Sequence, residues 1–411
     1  MNNRRKFGVI KFQTIGVRAF ALYVASTYLA QGVIFPASYN TLFLYLFLAW
    51  GALNAIYAKT IKIRTISFWM MLVMGYGLLT MLYSPSKGIF EGQYYFLIVN
   101  FVITIVLSQI SFDKKSVLFL CWTYTLSAAV LTLMMIATGN MTDSTGRLGN
   151  EVFGNANNLA LLLMLGVMYA FYILIFFGDT IWKRALLAAC IALSYYAMFL
   201  SGGRKFIVVP IVFLYVLLMF KTDSAGRKHI IKYTVVIAVI VFILYQLIMN
   251  VPAFYDVIGQ RMEGLFGLIS GNGVVDASAE ERSLMVRMGL RRWMENPLFG
   301  YGFDSFKYYN RAMTGNYYYA HNNYVELLYD LGLIGGAIYY SFYFKLLKTG
   351  VAAEQIPVHA RAFPVAMVLA FLVYEVGAVN YSSTHAMIMM FLAFVVGNDV
   401  DKSWQGERKY E

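Results

Sequence analysis

The chain has 411 residues, of which 60% are hydrophobic and only 13% are charged. A soluble domain typically carries about 25% charged residues, so this composition excludes an ordinary water-soluble protein. The formal net charge of +12 would suggest a nucleic-acid partner in a soluble protein. Here most of the excess lies in short segments between apolar runs, where it meets lipid headgroups. We therefore expect membrane lipids as partners and no nucleic acid.

Twelve apolar runs predict twelve transmembrane helices, because a helix needs roughly 20 apolar residues to cross a bilayer. The runs lack the two-residue alternation of a membrane barrel. In chain order the predicted spans are 15–35, 38–57, 66–83, 93–110, 117–138, 157–178, 184–201, 205–221, 230–250, 324–346, 361–380 and 383–398. The predicted fold class is an all-α polytopic membrane protein with one long extracytoplasmic loop that contains short helices.

The distribution of cations predicts the orientation. With a cytoplasmic N-terminus, 21 of the 33 lysines and arginines fall on the cytoplasmic side, as the positive-inside rule favours. The only cations in short outer loops are Lys87, Arg147, Arg204 and Lys205. We thus predict that both termini are cytoplasmic. The predicted organisation is nine spans in 1–250, a substrate-binding and catalytic outer loop in 251–323, and three spans with a cytoplasmic tail in 324–411.

Arg204 interrupts Leu200-Ser-Gly-Gly-Arg-Lys-Phe206, where one predicted span ends and the next begins. An arginine at a span end often extends to lipid phosphate. The alternative is that Arg204 faces a cavity and binds an anion at membrane depth. The two cysteines, Cys121 and Cys190, lie inside predicted spans and provide neither a disulfide framework nor metal-ligand spacing.

The outer loop contains a predicted helix that is rich in arginine. Ser278-Ala-Glu-Glu281 is a capping-box pattern, and Asn296-Pro297 ends the helix. Its cations are Arg282, Arg287, Arg291 and Arg292. A solvated helix face is one interpretation. The other is a phosphate site, because guanidinium groups suit bidentate phosphate recognition and no carboxylate separates these arginines.

His321, in Ala320-His321-Asn322-Asn323, is the candidate for proton transfer, because imidazole titrates near neutral pH. A lone histidine more often only satisfies hydrogen bonds, so the sequence leaves both roles open. Asn322 or Glu326 would orient the ring. His385 lies at the outer end of the last predicted span and stays a second candidate. The loop lacks a carboxylate pair suited to Mg²⁺, so we predict no metal site.

Four separated segments together resemble the O-antigen ligase and O-antigen polymerase superfamily. His321-Asn322 followed by Gly332-x-x-Gly335 is similar to its histidine motif, and Arg282 before Pro297-Leu-Phe-Gly-Tyr-Gly302 is similar to its loop arginine. Ser201-Gly-Gly-Arg204 resembles its Ser-Arg-Gly element. Phe153-Gly-Asn-Ala-Asn157-Asn-Leu-Ala resembles its Asn-Pro-Asn-x-x-Ala segment, with Ala156 where proline is usual. The resemblance covers roughly residues 150 to 345.

Members of that superfamily are integral-membrane glycosyltransferases that use glycans carried on undecaprenyl pyrophosphate, without a metal or a nucleotide sugar, so we expect no cofactor. The resemblance therefore implies the bacterial cytoplasmic membrane as location, with the site on its outer face. For this reaction we expect catalysis by His321, which would take the acceptor proton, and by Arg204 and Arg282, which would stabilise the leaving group. The residues expected to bind substrate are Arg287, Arg291, Asn322, Glu326 and Asn157.

Three functions remain open. A polymerase would join lipid-linked repeat units into O-antigen, capsule or exopolysaccharide, with a chain-length regulator protein as a further partner. A ligase would move the glycan to lipid A core, a wall polymer or a protein. We favour the polymerase, since we expect no additional soluble acceptor-binding module. A transporter for lipid-linked glycans would carry charges deep in several spans, whereas here only Arg18 and Glu375 are such exceptions.

Overall fold

The computed structural model describes residues 3–30, 35–90, 92–138, 146–221, 227–270, 277–351 and 356–399. Within these ranges the chain is helical and contains no strand. The helices are α1 (Asn3–Leu29), α2 (Ser38–Ala58), α3 (Thr65–Thr80), α4 (Gly92–Ser108), α5 (Lys114–Ala137), α6 (Asn150–Phe153), α7 (Ala156–Phe177), α8 (Ile181–Ser201), α9 (Arg204–Lys221), α10 (Arg227–Asn250), α11 (Pro252–Phe254), α12 (Gln260–Ser270), α13 (Ala277–Trp293), α14 (Phe306–Thr314), α15 (Asn323–Val351), α16 (Val358–Glu375) and α17 (Thr384–Phe394). Short π-helical segments cover Tyr255–Gly259 and Val395–Asp399.

Each predicted span overlaps a helix, namely α1 to α5, α7 to α10 and α15 to α17. Among the described residues, six helices are long and apolar enough to cross a membrane, namely α2, α5, α7, α8, α10 and α16. The apolar helices α3, α4 and α17 are shorter. The helical membrane protein is thus confirmed, whereas twelve crossings and the layout of the loops stay predictions.

α7 lies at the centre of the bundle. Almost every residue from Leu159 to Ile173 is buried, and α7 packs against α5, α8 and α9. A helix that is apolar on all sides is stable only when neighbours surround it. Small residues allow close approach, because a Cβ on Gly166 would lie 2.4 Å from the Cβ of Ala128 on α5.

α15 is bent where the Gly332-x-x-Gly335 motif begins. Gly332 has φ 66° and ψ −169°, and a Cβ there would lie 2.3 Å from the carbonyl oxygen of Leu298. The bend frees backbone groups, which the outer loop satisfies: Leu333 N–H donates to the Pro297 carbonyl at 2.9 Å. Glycine therefore permits the Pro297–Gly302 segment to pack directly against α15.

Asp330 fixes the same loop from the side of α15. Its carboxylate accepts hydrogen bonds from the backbone N–H groups of Asp304, Ser305 and Phe306 at 2.9–3.0 Å. These bonds begin α14 and satisfy a buried carboxylate, which would otherwise be costly. Asp330 thus anchors the start of α14, and with it this part of the outer loop, to α15.

The arginine-rich helix of the outer loop differs from its predicted start. α13 extends from Ala277, so Ser278 lies inside the first turn and its predicted capping role is wrong.

Candidate active site

The turn between α8 and α9 is the first part of the site. α8 ends at Ser201, Gly202 adopts a left-handed conformation with φ 72°, and α9 begins at Arg204. A side chain at Gly202 would be strained there and would approach the backbone of Val257 to 3.1 Å. Glycine thus permits a tight turn that places Arg204 and Lys205 at the N-terminus of α9, where the helix dipole adds positive potential.

Two further arginines hold this turn by its carbonyl groups. Arg147 Nε donates to the Ser201 carbonyl at 2.8 Å, and Arg261 Nη1 donates to the Gly202 carbonyl at 2.9 Å. The guanidinium of Arg204 donates to the backbone carbonyl of Arg261. Three arginines from separate parts of the chain therefore meet at one turn. Two of them, Arg147 and Arg204, are among the four cations predicted to lie in short outer loops.

Asn157 lies beside these arginines. Asn155 caps α7 by accepting a hydrogen bond from the Asn157 backbone N–H at 2.9 Å. The Asn157 Oδ1 accepts a long bond of 3.5 Å from Arg147 Nη2. The structure thus brings Asn157 to the arginines of the α8–α9 turn, and its contact with substrate stays a prediction.

His321 lies in the turn that enters α15, and its flanking backbone is fixed by side chains. Its φ of 52° is uncommon for a residue other than glycine. Glu326 accepts a hydrogen bond from the Ala320 N–H at 2.6 Å. Asn322 caps the first turn of α15 and donates to the Val376 carbonyl at 3.1 Å. Both residues therefore position the His321 backbone, and orientation of the imidazole by Asn322 or Glu326 stays a prediction.

The imidazole of His321 packs against Tyr319, with 5.1 Å between the ring centroids. Burial lowers the pKa of His321 to about 4, and the positive charges of Arg282 and Lys205 act in the same direction. Within the described part of the chain, no hydrogen bond joins the imidazole to another residue. At neutral pH the ring is therefore uncharged and able to accept a proton.

Lys205 is the residue to which sequence reasoning gave no role. Its Nζ donates to the Gly377 carbonyl at 2.5 Å and lies 4.8 Å from the centroid of the Tyr374 ring. This places the ammonium between α9 and α16, and its charge acts on His321. The signal that could have found it was its position in a short outer loop, where the positive-inside rule disfavours cations.

The other arginines of α13 lie apart from His321. Arg282 is half-buried, whereas Arg287 and Arg291 are exposed. Arg287 lines a surface hollow beside Glu280. Among the described groups, the cations that act on His321 are Arg282 and Lys205. Helical periodicity explains why Arg287 faces away from Arg282, since five residues along a helix correspond to a rotation of about 140°.

This arrangement places an uncharged imidazole where Arg282 and Lys205 act on it electrostatically. Arg282 and Lys205 would stabilise an anion, because charged hydrogen bonds to phosphate are strong, and His321 would serve as a base beside it. Within the described ranges, no three His, Cys, Asp or Glu side chains converge to hold a metal ion. A neutral base and groups that stabilise an anion would meet the two needs of group transfer from a phosphate.

Residues 187–340 match a family model described as O-Antigen ligase. The matched segment comprises 154 of the 411 residues. The match confirms the resemblance to the O-antigen ligase and polymerase superfamily, and it indicates a membrane glycosyltransferase of this type. A search of curated proteins returned no match.

The segment that matches the O-antigen ligase model contains the main parts of the candidate site. It begins within α8 and ends within α15, so it includes Arg204, Lys205, Arg282 and His321. Arg147 lies outside the matched segment and still binds the α8–α9 turn inside it. The arginines that meet at this turn therefore lie both inside and outside the matched segment.

Proposed function

We propose that this protein polymerises oligosaccharide repeat units carried on undecaprenyl pyrophosphate into O-antigen, capsule or exopolysaccharide. The observation that supports this most is the uncharged His321 imidazole beside Arg282 and Lys205 in an O-antigen ligase domain. The site would face the outer side of the bacterial cytoplasmic membrane, with both termini in the cytoplasm. A chain-length regulator protein is a further expected partner.

The reaction transfers an anomeric carbon from pyrophosphate to an acceptor hydroxyl. The acceptor oxygen forms a bond to the anomeric carbon while the bond from that carbon to the pyrophosphate oxygen breaks. The pyrophosphate leaves with the electron pair, and Arg282 and Lys205 stabilise its growing charge. His321 takes the proton of the acceptor hydroxyl.

An apolar cavity supports a lipid-linked donor. A space of about 740 Å³ lies between α9, α10 and α12, with residues such as Ile211, Val241 and Phe266 along its walls. Arg204 is the one charged residue among the described ones that line it. Such a cavity suits a polyprenyl chain, and the guanidinium at its margin suits the phosphate to which that chain is attached.

The pKa of His321 that governs the reaction should differ between the free enzyme and its complex with the donor. Because the pKa of His321 is about 4, the acidic limb of kcat/KM should lie below about pH 5. Bound pyrophosphate offsets the charges of Arg282 and Lys205, which raises this pKa. The acidic limb of kcat should therefore lie at higher pH than that of kcat/KM. Initial rates between pH 4 and 9 measure both, and a kcat/KM limb near the ordinary histidine value of about 6.5 would contradict the prediction.

A purified preparation should make longer products from one substrate. We expect protein in lipid nanodiscs, given only undecaprenyl-pyrophosphate-linked oligosaccharide repeats, to form a ladder of longer lipid-linked glycans on a gel. Movement of the intact substrate across the bilayer without any new glycosidic bond would instead favour a transporter and would refute the enzyme.

A ligase is the second candidate, because the matched family is described as O-Antigen ligase. Its donor, leaving group and base would be the same. In the experiment above, a ligase would form no ladder and would react only after a separate acceptor, such as lipid A core, is added.

A further inference from the structure

A polar cavity of about 560 Å³ lies between residues at the predicted outer ends of α1, α2, α4, α7 and α17. Its volume is in the range of small-molecule sites. No lysine, arginine, aspartate or glutamate of the described chain lines it. Its polar lining includes Thr27, Asn40, Gln93, Asn158, Thr384 and His385.

The three amides of this lining are held in place and retain bonding capacity. Asn40 Nδ2 donates to Ser26 Oγ at 3.0 Å, and Asn158 Nδ2 donates to a backbone carbonyl at 3.2 Å. Gln93 Oε1 accepts a hydrogen bond from the Ser382 hydroxyl. Among the described residues, the other polar atom of each amide has no side-chain partner. Each amide therefore keeps an oxygen or a nitrogen for a ligand.

Aromatic side chains complete the lining, namely Tyr23, Phe96, Phe153 and Tyr319. Sugars combine hydroxyl groups, which bond to amides, with C–H faces that pack on flat apolar rings. A charged sugar would have to leave water without an ionic partner, which is costly. This chemistry therefore favours an uncharged sugar over a uronic acid or a phosphate.

The cavity adjoins the candidate active site at two points. Tyr319 lines the cavity and also packs against His321. On the first turn of α7, Asn158 lines the cavity while Asn157 accepts a hydrogen bond from Arg147. The cavity thus lies next to the imidazole, whereas the arginines of the α8–α9 turn lie beyond Asn157.

We propose that this cavity binds the uncharged sugar whose hydroxyl accepts the transferred glycan. The acceptor role rests on the proposed glycosyl transfer. A hydroxyl reaching past Tyr319 would meet His321, while the donor pyrophosphate occupies Arg282 and Lys205. Acceptor and leaving group would then approach the reacting carbon from separate sides.

Saturation-transfer NMR on the full chain in nanodiscs tests the sugar site. The probes are soluble neutral oligosaccharides and matched forms in which one hexose is replaced by its uronic acid. We expect the wild type to bind a neutral member more tightly than its acidic counterpart. Asn40→Leu and Gln93→Leu should each raise that Kd about 10-fold, or roughly 1.4 kcal/mol. Gln246→Leu is the matched control, because Gln246 is exposed on α10 and outside the lining.

Binding of undecaprenyl pyrophosphate, measured in parallel, separates the two proposals and checks folding. It should be unchanged in all three variants, because its proposed contacts lie outside the cavity. The sugar site is refuted if the wild type binds no neutral glycan, if acidic forms bind equally well, or if neither cavity variant weakens binding. The protein could instead bind neutral sugars, lose that binding in the cavity variants and yet fail to bind undecaprenyl pyrophosphate. That result would support the sugar site and refute the proposed polymerase.

Discussion

Replacing His321 with alanine should lower kcat for glycan transfer by on the order of 10²–10⁴-fold, which is the usual contribution of a general base. The uncharged ring is held beside Arg282 and Lys205, so it would take a proton while the pyrophosphate leaves. His321→Gln should be similarly impaired, because an amide keeps a polar side chain but cannot act as a base. Initial rates with undecaprenyl-pyrophosphate-linked repeats measure the effect.

The loss should be one of chemistry rather than of donor binding. Both variants should still bind undecaprenyl pyrophosphate, since the cations remain. His359→Gln is the matched control, because His359 lies near the start of α16, roughly 25 Å along that helix from the Val376 carbonyl that Asn322 contacts. Wild-type rates in His321→Ala, or a similar loss in the control, would remove His321 from the mechanism.

Replacing Arg282 with alanine should lower kcat by on the order of 10²–10³-fold, as the loss of one group that stabilises a developing anion does elsewhere. Arg282 is half-buried on α13 and acts electrostatically on His321. Arg282→Lys keeps the charge but loses the planar fork that binds two phosphate oxygens. Its rate should therefore lie between those of the wild type and the alanine variant.

Unlike the histidine variants, Arg282→Ala should also weaken binding of undecaprenyl pyrophosphate. Arg311→Lys is the matched control, because Arg311 is exposed in the same outer loop and its guanidinium lies over the Tyr317 ring. Its rate should equal that of the wild type. If Arg282→Ala transfers glycan at the normal rate, Arg282 has only a surface role and the proposed stabilisation of the leaving group is wrong.

Removal of the positive charge at position 282 should also raise the pKa of His321. The cation lowers the pKa of the imidazole, so Arg282→Ala should move the acidic limb of kcat/KM to higher pH. This shift reports the proximity of the two side chains independently of the size of the rate loss.

Local chemistry was sufficient to predict the helices. Apolar runs of membrane length gave segments that all overlap helices, because a chain that crosses a bilayer must satisfy its backbone hydrogen bonds within the helix. Glycine motifs were also informative. Gly202 and Gly332 each occupy a backbone conformation and a close contact that a side chain would obstruct, so their importance could be suspected from spacing before any contact was known.

Only the tertiary structure determined which cations meet. Arg282, Arg287 and Arg291 are similar in sequence, yet the packing of α13 leaves two of them exposed and brings Arg282 to His321. Lys205 became part of the site because α9 packs beside α16. Helix formation follows from residues a few positions apart, whereas an active site depends on the contacts of distant helices, which local sequence patterns do not encode.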